Sequence, residues 1–586
     1  MKTHVTRRLQ AGSSVILVGV ILGAGSLCVL ASVLSWSSTS TSLTKRENQY
    51  LGSLSAAEAA TERVIGQIAR DFQTSGDAGV LNNLSVYRQL VPTASSVLNN
   101  LTNSLLGGSS QQTANSAWSS FEFSDGQQHL NTTYVDQLTA WGYTALQTTL
   151  SGLNGNASTY RIVSNARELN TSFDSVAAIR QNVQIASIPI FGYQVFYALD
   201  LEFCPGSAFS ITGPVHANGT IYCQPGGSTL TFQAPVTSAR KVLHGKHPDD
   251  PTTRTIGQVV YKAGRNMRVN TLNLPIGTNN APGLLHGLIE IPPPSESTNS
   301  PLAQQRYYNK ADLIILVSNN VVVAKSGAYN GFLVSIPWLT ISPFVNTNVT
   351  FFNKRENETV LATEIDVQSF RNQYTTLTTL LGRSPKSLYV ADLRTQGLNT
   401  QSGVRLINGQ TLPSAGLTVA TLNPLYVKGH YNAPSGSLGT TNTSATAPAS
   451  LVADAITVLS GAWADTNATL LLSARNANNT TVNAAVIAGI VPTGNGYYSG
   501  GAENFFRFLE KWEGDTLTFN GSMVVLFPSQ IATAPWGASS EVYSTPIRGY
   551  AHDVNFKNAS KLPPGTPEVR TLIRAQWAML PPNTVQ

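Results

Sequence analysis

The chain has 586 residues, more than one hydrophobic core usually organises, so about three or more structural units are expected. Charged residues make up 12% of it, against a usual share of about a quarter, and a net charge of +6 is spread thinly along the whole length. With no block of consecutive Lys and Arg, this excludes a nucleic-acid-binding patch, and with abundant Ser, Thr, Asn and Gly it departs from a cytosolic enzyme.

Residues 11–34 read AGSSVILVGVILGAGSLCVLASVL, without a charge. As a helix at about 1.5 Å per residue they span roughly 36 Å, enough to cross a bilayer. Lys2, Arg7 and Arg8 precede the run. By the cytoplasmic bias of basic residues they place the N-terminus inside and the bulk of the chain outside the membrane. Val29-Leu30-Ala31 before Ser32 loosely matches a signal-peptide cleavage pattern, which leaves a cleaved, secreted form as the rival. Leu27 stands where a lipoprotein signal ending at Cys28 needs a small residue.

Farther on, Tyr50, Leu51, Leu54, Ala57, Thr61, Val64, Ile65, Ile68 and Phe72 recur mostly at three- and four-residue steps. That spacing makes one apolar stripe on a helical stalk over residues 37–75. Lys45, Arg46, Glu47, Glu62, Arg63 and Arg70 fall mostly off the stripe.

The basic start, the Gly/Ala-containing apolar helix and the segment Ala56-Ala57-Glu58-Ala59-Ala60-Thr61-Glu62 together resemble the N-terminal region of PilX-type type IV pilus assembly proteins. The resemblance covers about the first 75 residues. It implies a minor pilin-like or assembly component in the bacterial inner membrane, with Ala57, Glu58, Ala59 and Glu62 as the assembly stalk and other pilin-like subunits or assembly proteins as partners. Pilins carry a glutamate five residues after a Gly cleavage site. Counted from Gly12 that position is Leu17, so the carboxylate that pairs with a neighbouring subunit's amine is missing.

Residues 76–180 read as a mixed, partly helical neck. From about residue 181 short apolar runs such as 313–317, 321–323, 425–427, 456–459 and 523–527 are cut by Gly, Asn and Pro, which predicts short strands. The expected fold class is therefore α+β, mainly β. An irregular parallel β-solenoid is preferred over a set of β-sandwiches because no strand is long. A first lobe covers 181–274, a Pro/Ser-rich linker 275–310, a second lobe 311–545, and a tail 546–586. Phe505, Phe508, Leu509 and Trp512 predict a helix over 503–512 that caps an open end of the stack.

Chemistry is sparse. Cys204 and Cys223 are candidates for a disulfide in an oxidising compartment, with two buried thiols as the alternative. Asp200 and Glu202 alternate along a strand in the manner of paired glycosidase carboxylates, although a solvated strand face explains them as well. Asp366 and Asp454 read as strand-end acids that satisfy turns. His216 reads as a hydrogen-bonded turn residue, and His244, His247, Asp249 and Asp250 as an exposed loop with metal-like spacing. No Walker loop, nucleophile elbow or His-Glu-x-x-His helix occurs. The expectation is a non-catalytic protein without cofactor or metal. Trp338, Tyr497, Tyr498 and Trp536 are candidates for stacking on surface glycans, which keeps an anchored adhesin as the second reading and a β-helical carbohydrate-active enzyme as the third.

Overall fold

A computed structural model describes residues 10–92, 116–277, 280–327, 333–494, 496–537 and 541–585. The basic residues Lys2, Arg7 and Arg8, and residues 93–115 of the expected neck, lie outside the described residues.

Helix α1 (Gln10–Asn82) runs unbroken from the apolar segment into the stalk and is 73 residues long. Residues 14–48 of it are exposed. Its second half buries Val64, Ile65, Ile68 and Phe72 against Val135, Tyr160, Ile162, Val183 and Ile185, so the stripe read from the sequence is the packing face. Leu51 is the exception and is half exposed. Nearer the apolar segment, Ala56, Ala57 and Ala60 lie on Phe123, Ala166 and Ile179, where small side chains let helix and sheet approach closely. At Gly76 the backbone takes φ 68° and ψ −165°, a conformation that only glycine adopts freely, and the helix breaks there. Arg570 covers the break, donating from Nη1 to the carbonyls of Phe72 and Gln73, each at 3.0 Å.

The sheet under α1 is antiparallel and has six strands. Strands β1 (Phe121–Ser124), β2 (Tyr134–Gln137) and β3 (Gly142–Ala145) all pair with β4 (Asn154–Glu168), which pairs with β5 (Val176–Pro189). The last member is the C-terminal strand Glu568–Leu580, which pairs with β5 from Glu568↔Pro189 to Leu580↔Ala178. The stretch expected to be a tail therefore closes the sheet that the N-terminal helix rests on. Everything from 190 to 567 is inserted between two hydrogen-bonded neighbours, and Ile190 N–H donates to the Pro567 carbonyl at 3.0 Å where the insertion begins and ends.

The insertion is built on parallel ladders. Val195–Tyr197, Val215–Ala217, Val236–Ser238 and Arg265–Met267 stack in register, and beside them stack Leu201–Phe203, Ile221–Cys223 and Val242–His244. A third ladder joins Phe209–Ile211, Thr229–Phe232 and Gln258–Tyr261. The inward residues of all three, including Val195, Leu201, Phe209, Val215, Ile221 and Leu230, form one core. Strands this short hold only because each turn of chain covers the one before it. The first ladder continues through Thr516–Val525, Thr480–Ala488, Ala449–Ala453, Leu417–Ala420, Ser387–Asp392 and Leu313–Val317. It ends on two antiparallel strands, Val322–Ser326 and Ser335–Ile336.

Two local expectations fail here. The stretch 275–310 is only in part a surface loop: residues 293–295 and 297–299 are exposed, but among its described residues short helical turns bury Leu285, Leu288, Ile289, Ala303 and Tyr307 in the apolar cluster that also holds Ala186 and Ile188 of β5. Residues 503–512 are not a capping helix. Beyond a short turn at Ala502–Asn504 the chain is extended, with parallel bridges Thr457↔Arg507 and Asn476↔Lys511. Phe505, Phe506, Phe508, Leu509 and Trp512 are all buried, as are Arg507 and Glu510; a helix would have turned some of these to water.

Candidate functional site

Two features of the chain stand out chemically, an uncovered apolar helix surface and a buried polar cluster. Every large apolar side chain from Val15 to Leu34 is more than half exposed, although an 18-residue window of this helix has a mean hydropathy of 2.5. Leaving such side chains in water costs roughly 1.5–3 kcal/mol each, so this surface requires a bilayer or other apolar chains around it. Leu17 belongs to this exposed surface.

The stalk residues divide into two pairs. Ala57 is buried on the sheet, and Glu62 is bonded by both Arg574 guanidinium nitrogens and by Gln181 Nε2 at 2.9 Å. The Arg574 hydrogen bond holds the Glu62 carboxyl below its ordinary value. Ala57 and Glu62 thus tie helix to sheet within one chain, whereas Glu58 is exposed and Ala59 half-buried.

The bridge expected between Cys204 and Cys223 is not formed; both are buried free thiols. Phe203 and Cys223 stand opposite each other in the parallel ladder and share the inward core, so Cys204, one residue on, lies outside it. Cys223 Sγ accepts from the Tyr261 hydroxyl inside the core, and Cys204 N–H donates to Glu503 outside it.

Asp200 and Glu202 are likewise separated in role. Asp200 is exposed and its Oδ1 accepts the Thr220 N–H at 2.6 Å, while Glu202 is 5% exposed, its Oε1 accepting from the hydroxyls of Thr493 and Ser499. No cleft flanked by the two carboxylates results. His216 is not a turn residue: it lies in the strand Val215–Ala217, fully buried between Thr237 (2.8 Å from Nδ1) on the neighbouring strand and Asn218 (3.0 Å from Nε2), and burial lowers it to about 4, so it stays neutral. Asp366 caps the helix Val367–Asn372 through the Ser369 N–H, as a strand-end acid does. Asp454 is buried and accepts the backbone N–H groups of Gln530 and Ala532, with His286 Nε2 at 3.2 Å.

The metal-like loop also splits. His244 is exposed and bonds the Gly257 carbonyl, and His247 lies 3.6 Å from Asp200 and 3.9 Å from Asp249. Asp250 turns the other way, is 2% exposed and pairs with Arg254. There it meets Glu202 and Cys204: one ligand atom from each of the three lies within 4.8 Å of the others. Tyr498 and Glu503 complete the surroundings, with the Arg254 guanidinium 4.3 Å over the Tyr498 ring and the Tyr498 hydroxyl donating to Glu503 at 3.1 Å. Burial pushes the Glu202 carboxyl up, the Cys204 thiol up to about 12 and the Glu503 carboxyl up to about 7. Sequence spacing could not disclose this group, because its members come from a strand edge, a loop and a covering segment. Its one visible trace was that Glu202 and Cys204 alternate along the chain with an aromatic residue between them.

Of the aromatic candidates, Tyr498 is buried and packs edge-on to Trp536, and Tyr497 is half-buried. Trp338, beside the strongly exposed Leu339, is half exposed and remains accessible.

No family model and no curated protein matches this sequence. A structural comparison aligns 90% of this chain with 97% of the competence-associated pilin ComZ from Thermus thermophilus, at 11% identity and a TM-score of 0.28, too slight a likeness to assign fold or role.

Proposed function

We propose that the protein is a non-catalytic, membrane-anchored, pilus-related component of the bacterial envelope. The observation that carries this reading is the division of one helix: its first half is apolar and uncovered, and its second half is packed on an antiparallel sheet that holds the rest of the chain. In this reading the apolar half lies in the inner membrane, the N-terminus is cytoplasmic, and the antiparallel base presents the insertion outside. The PilX-type relation is the finer form of the proposal and rests on the Ala57-Glu58-Ala59 segment, where Glu58 and Ala59 are the residues still open to a neighbouring subunit. The insertion is read as an irregular solenoid, supported by its parallel ladders.

The test is mass spectrometry of the mature N-terminus with fractionation of the native protein, alongside a deletion strain. A chain that is intact or cut after Gly12, found in the inner membrane or a filament fraction, with surface filaments lost on deletion, is the expected result. A soluble protein starting at Ser32, or normal filaments without the gene, would overturn it. The exposed Trp338 and Leu339 favour an adhesin as the second reading, and glycan-array binding by the full chain in detergent, lost in Trp338→Ala, would select it.

A further inference from the structure

The cluster around Glu202 brings one atom from each of two carboxylates and a thiol within 4.8 Å of the others, an arrangement that neither assembly nor glycan binding uses. Its members are nearly sealed from water: Glu202 is 5%, Cys204 7% and Asp250 2% exposed. Gathering acids in such a place is unfavourable unless something positive or a proton sits among them. Arg254 supplies one positive charge and spends it on Asp250. Glu202 Oε1 is satisfied by Thr493 and Ser499, but the buried Oε2 has no hydrogen-bond partner among the described residues. A buried carboxylate oxygen left without a donor calls for a partner there, such as a proton, a water or an ion.

We propose that Glu202, Cys204 and Asp250 form a binding site for one zinc-like divalent cation, with Arg254 as its fixed counter-charge. The donor set is the first ground. A thiolate with two carboxylates suits a borderline ion, whereas calcium and magnesium take oxygen ligands. Spacing is the second. Bonds of about 2.0–2.3 Å to a tetrahedral ion set its ligands roughly 3.5 Å apart, so atoms already within 4.8 Å need only small side-chain rotations to close. Charge is the third: three anionic ligands are balanced by one divalent ion together with the Arg254 guanidinium. A tetrahedral ion would take its fourth ligand from a water or from a hydroxyl of the covering segment. Bound there, the ion would pin the loop carrying Asp250 to the strand edge carrying Glu202 and Cys204.

The rival is a proton on Glu202 in place of the ion. Full-length protein in detergent, stripped with a chelator, would be titrated with Co²⁺ and Zn²⁺. One equivalent of Co²⁺ should bind with a thiolate-to-cobalt charge-transfer band in the near ultraviolet, and Zn²⁺ should displace it. The band should vanish in Cys204→Ser and persist in Cys223→Ser. Glu202→Gln should weaken binding about tenfold or more, the scale on which altered metal surroundings act. Should Cys204→Ser not fold, Glu202→Gln decides the matter by itself: unchanged affinity there overturns the site. Absence of stoichiometric binding in the parent protein, or a band retained in a folded Cys204→Ser, overturns it as well and leaves the proton as the occupant.

Discussion

The antiparallel base and the inserted ladders are both β-rich, yet they are held together in opposite ways. In the insertion, most neighbouring strands come from successive turns of chain, as when Val195 lies on Val215 and Val215 on Val236, the main exception being the pairing of Val195–Tyr197 with Met523–Val525. Each turn is templated by the one before it, and loop closure stays inexpensive. The base is assembled from the two ends of the molecule. Its α1 break is capped by Arg570, and its last strand pairs with β5 across the whole insertion. Long-range pairing of this kind is slow to form, so the base should be completed last, after the C-terminal strand has been made. Residues 568–580, with little local structure of their own, thus close the sheet that the N-terminal helix rests on.

The largest expected effect asks whether the two regions are separate cooperative units. Phe72→Ala removes a fully buried ring that packs edge-on to Trp141, and Trp512→Ala removes a fully buried indole of the insertion. Each should cost about 3–5 kcal/mol. In calorimetry of the detergent-solubilised protein, Phe72→Ala should lower one transition and Trp512→Ala the other. A single transition that both move equally would show that the shared cluster joining β5 to the insertion has fused them.

A smaller effect sharpens the contrast through pH. Burial pushes the Glu510 carboxyl up from 4.5 to about 7, although the Ser460 N–H and hydroxyl both donate to it. The folded insertion therefore keeps a proton that the unfolded chain releases near its ordinary value. Stability from this group is complete below about 4.5 and declines as the pH rises to about 7. Melting at stepped pH should show this decline in the insertion's transition, and Glu510→Gln should flatten it.

The smallest effect belongs to the base. The Glu62–Arg574 pair is partly exposed, with side chains 39% and 58% accessible, so solvent screens it. A double-mutant cycle with Glu62→Gln and Arg574→Gln should return a coupling of about 0–1 kcal/mol that fades in salt. A larger coupling would mean that the stalk carboxylate is a main fastening of helix to sheet, making the base less dependent on apolar packing than the buried stripe implies.

The sequence by itself determined what local periodicity can encode. The uncharged run 11–34, the stripe from Leu54 to Phe72, and the short strands cut by glycine and proline each depend on neighbours a few residues away, and each is found in the structure. Tertiary structure alone decided the rest. Residues 568–580 look like a tail until β5 supplies a hydrogen-bonding edge, and 503–512 have helical spacing until burial on both sides draws them out straight. The stretch 275–310 lacks a period, yet Leu285, Leu288, Ile289 and Tyr307 are covered from outside their own segment. The cysteines looked paired because their separation in sequence permits it, yet the alternation of a strand sends them to opposite sides. Glu202, Cys204 and Asp250 meet for the complementary reason: a carboxylate's surroundings are set by whichever distant segments fold over it, and no spacing along the chain records which segments those are.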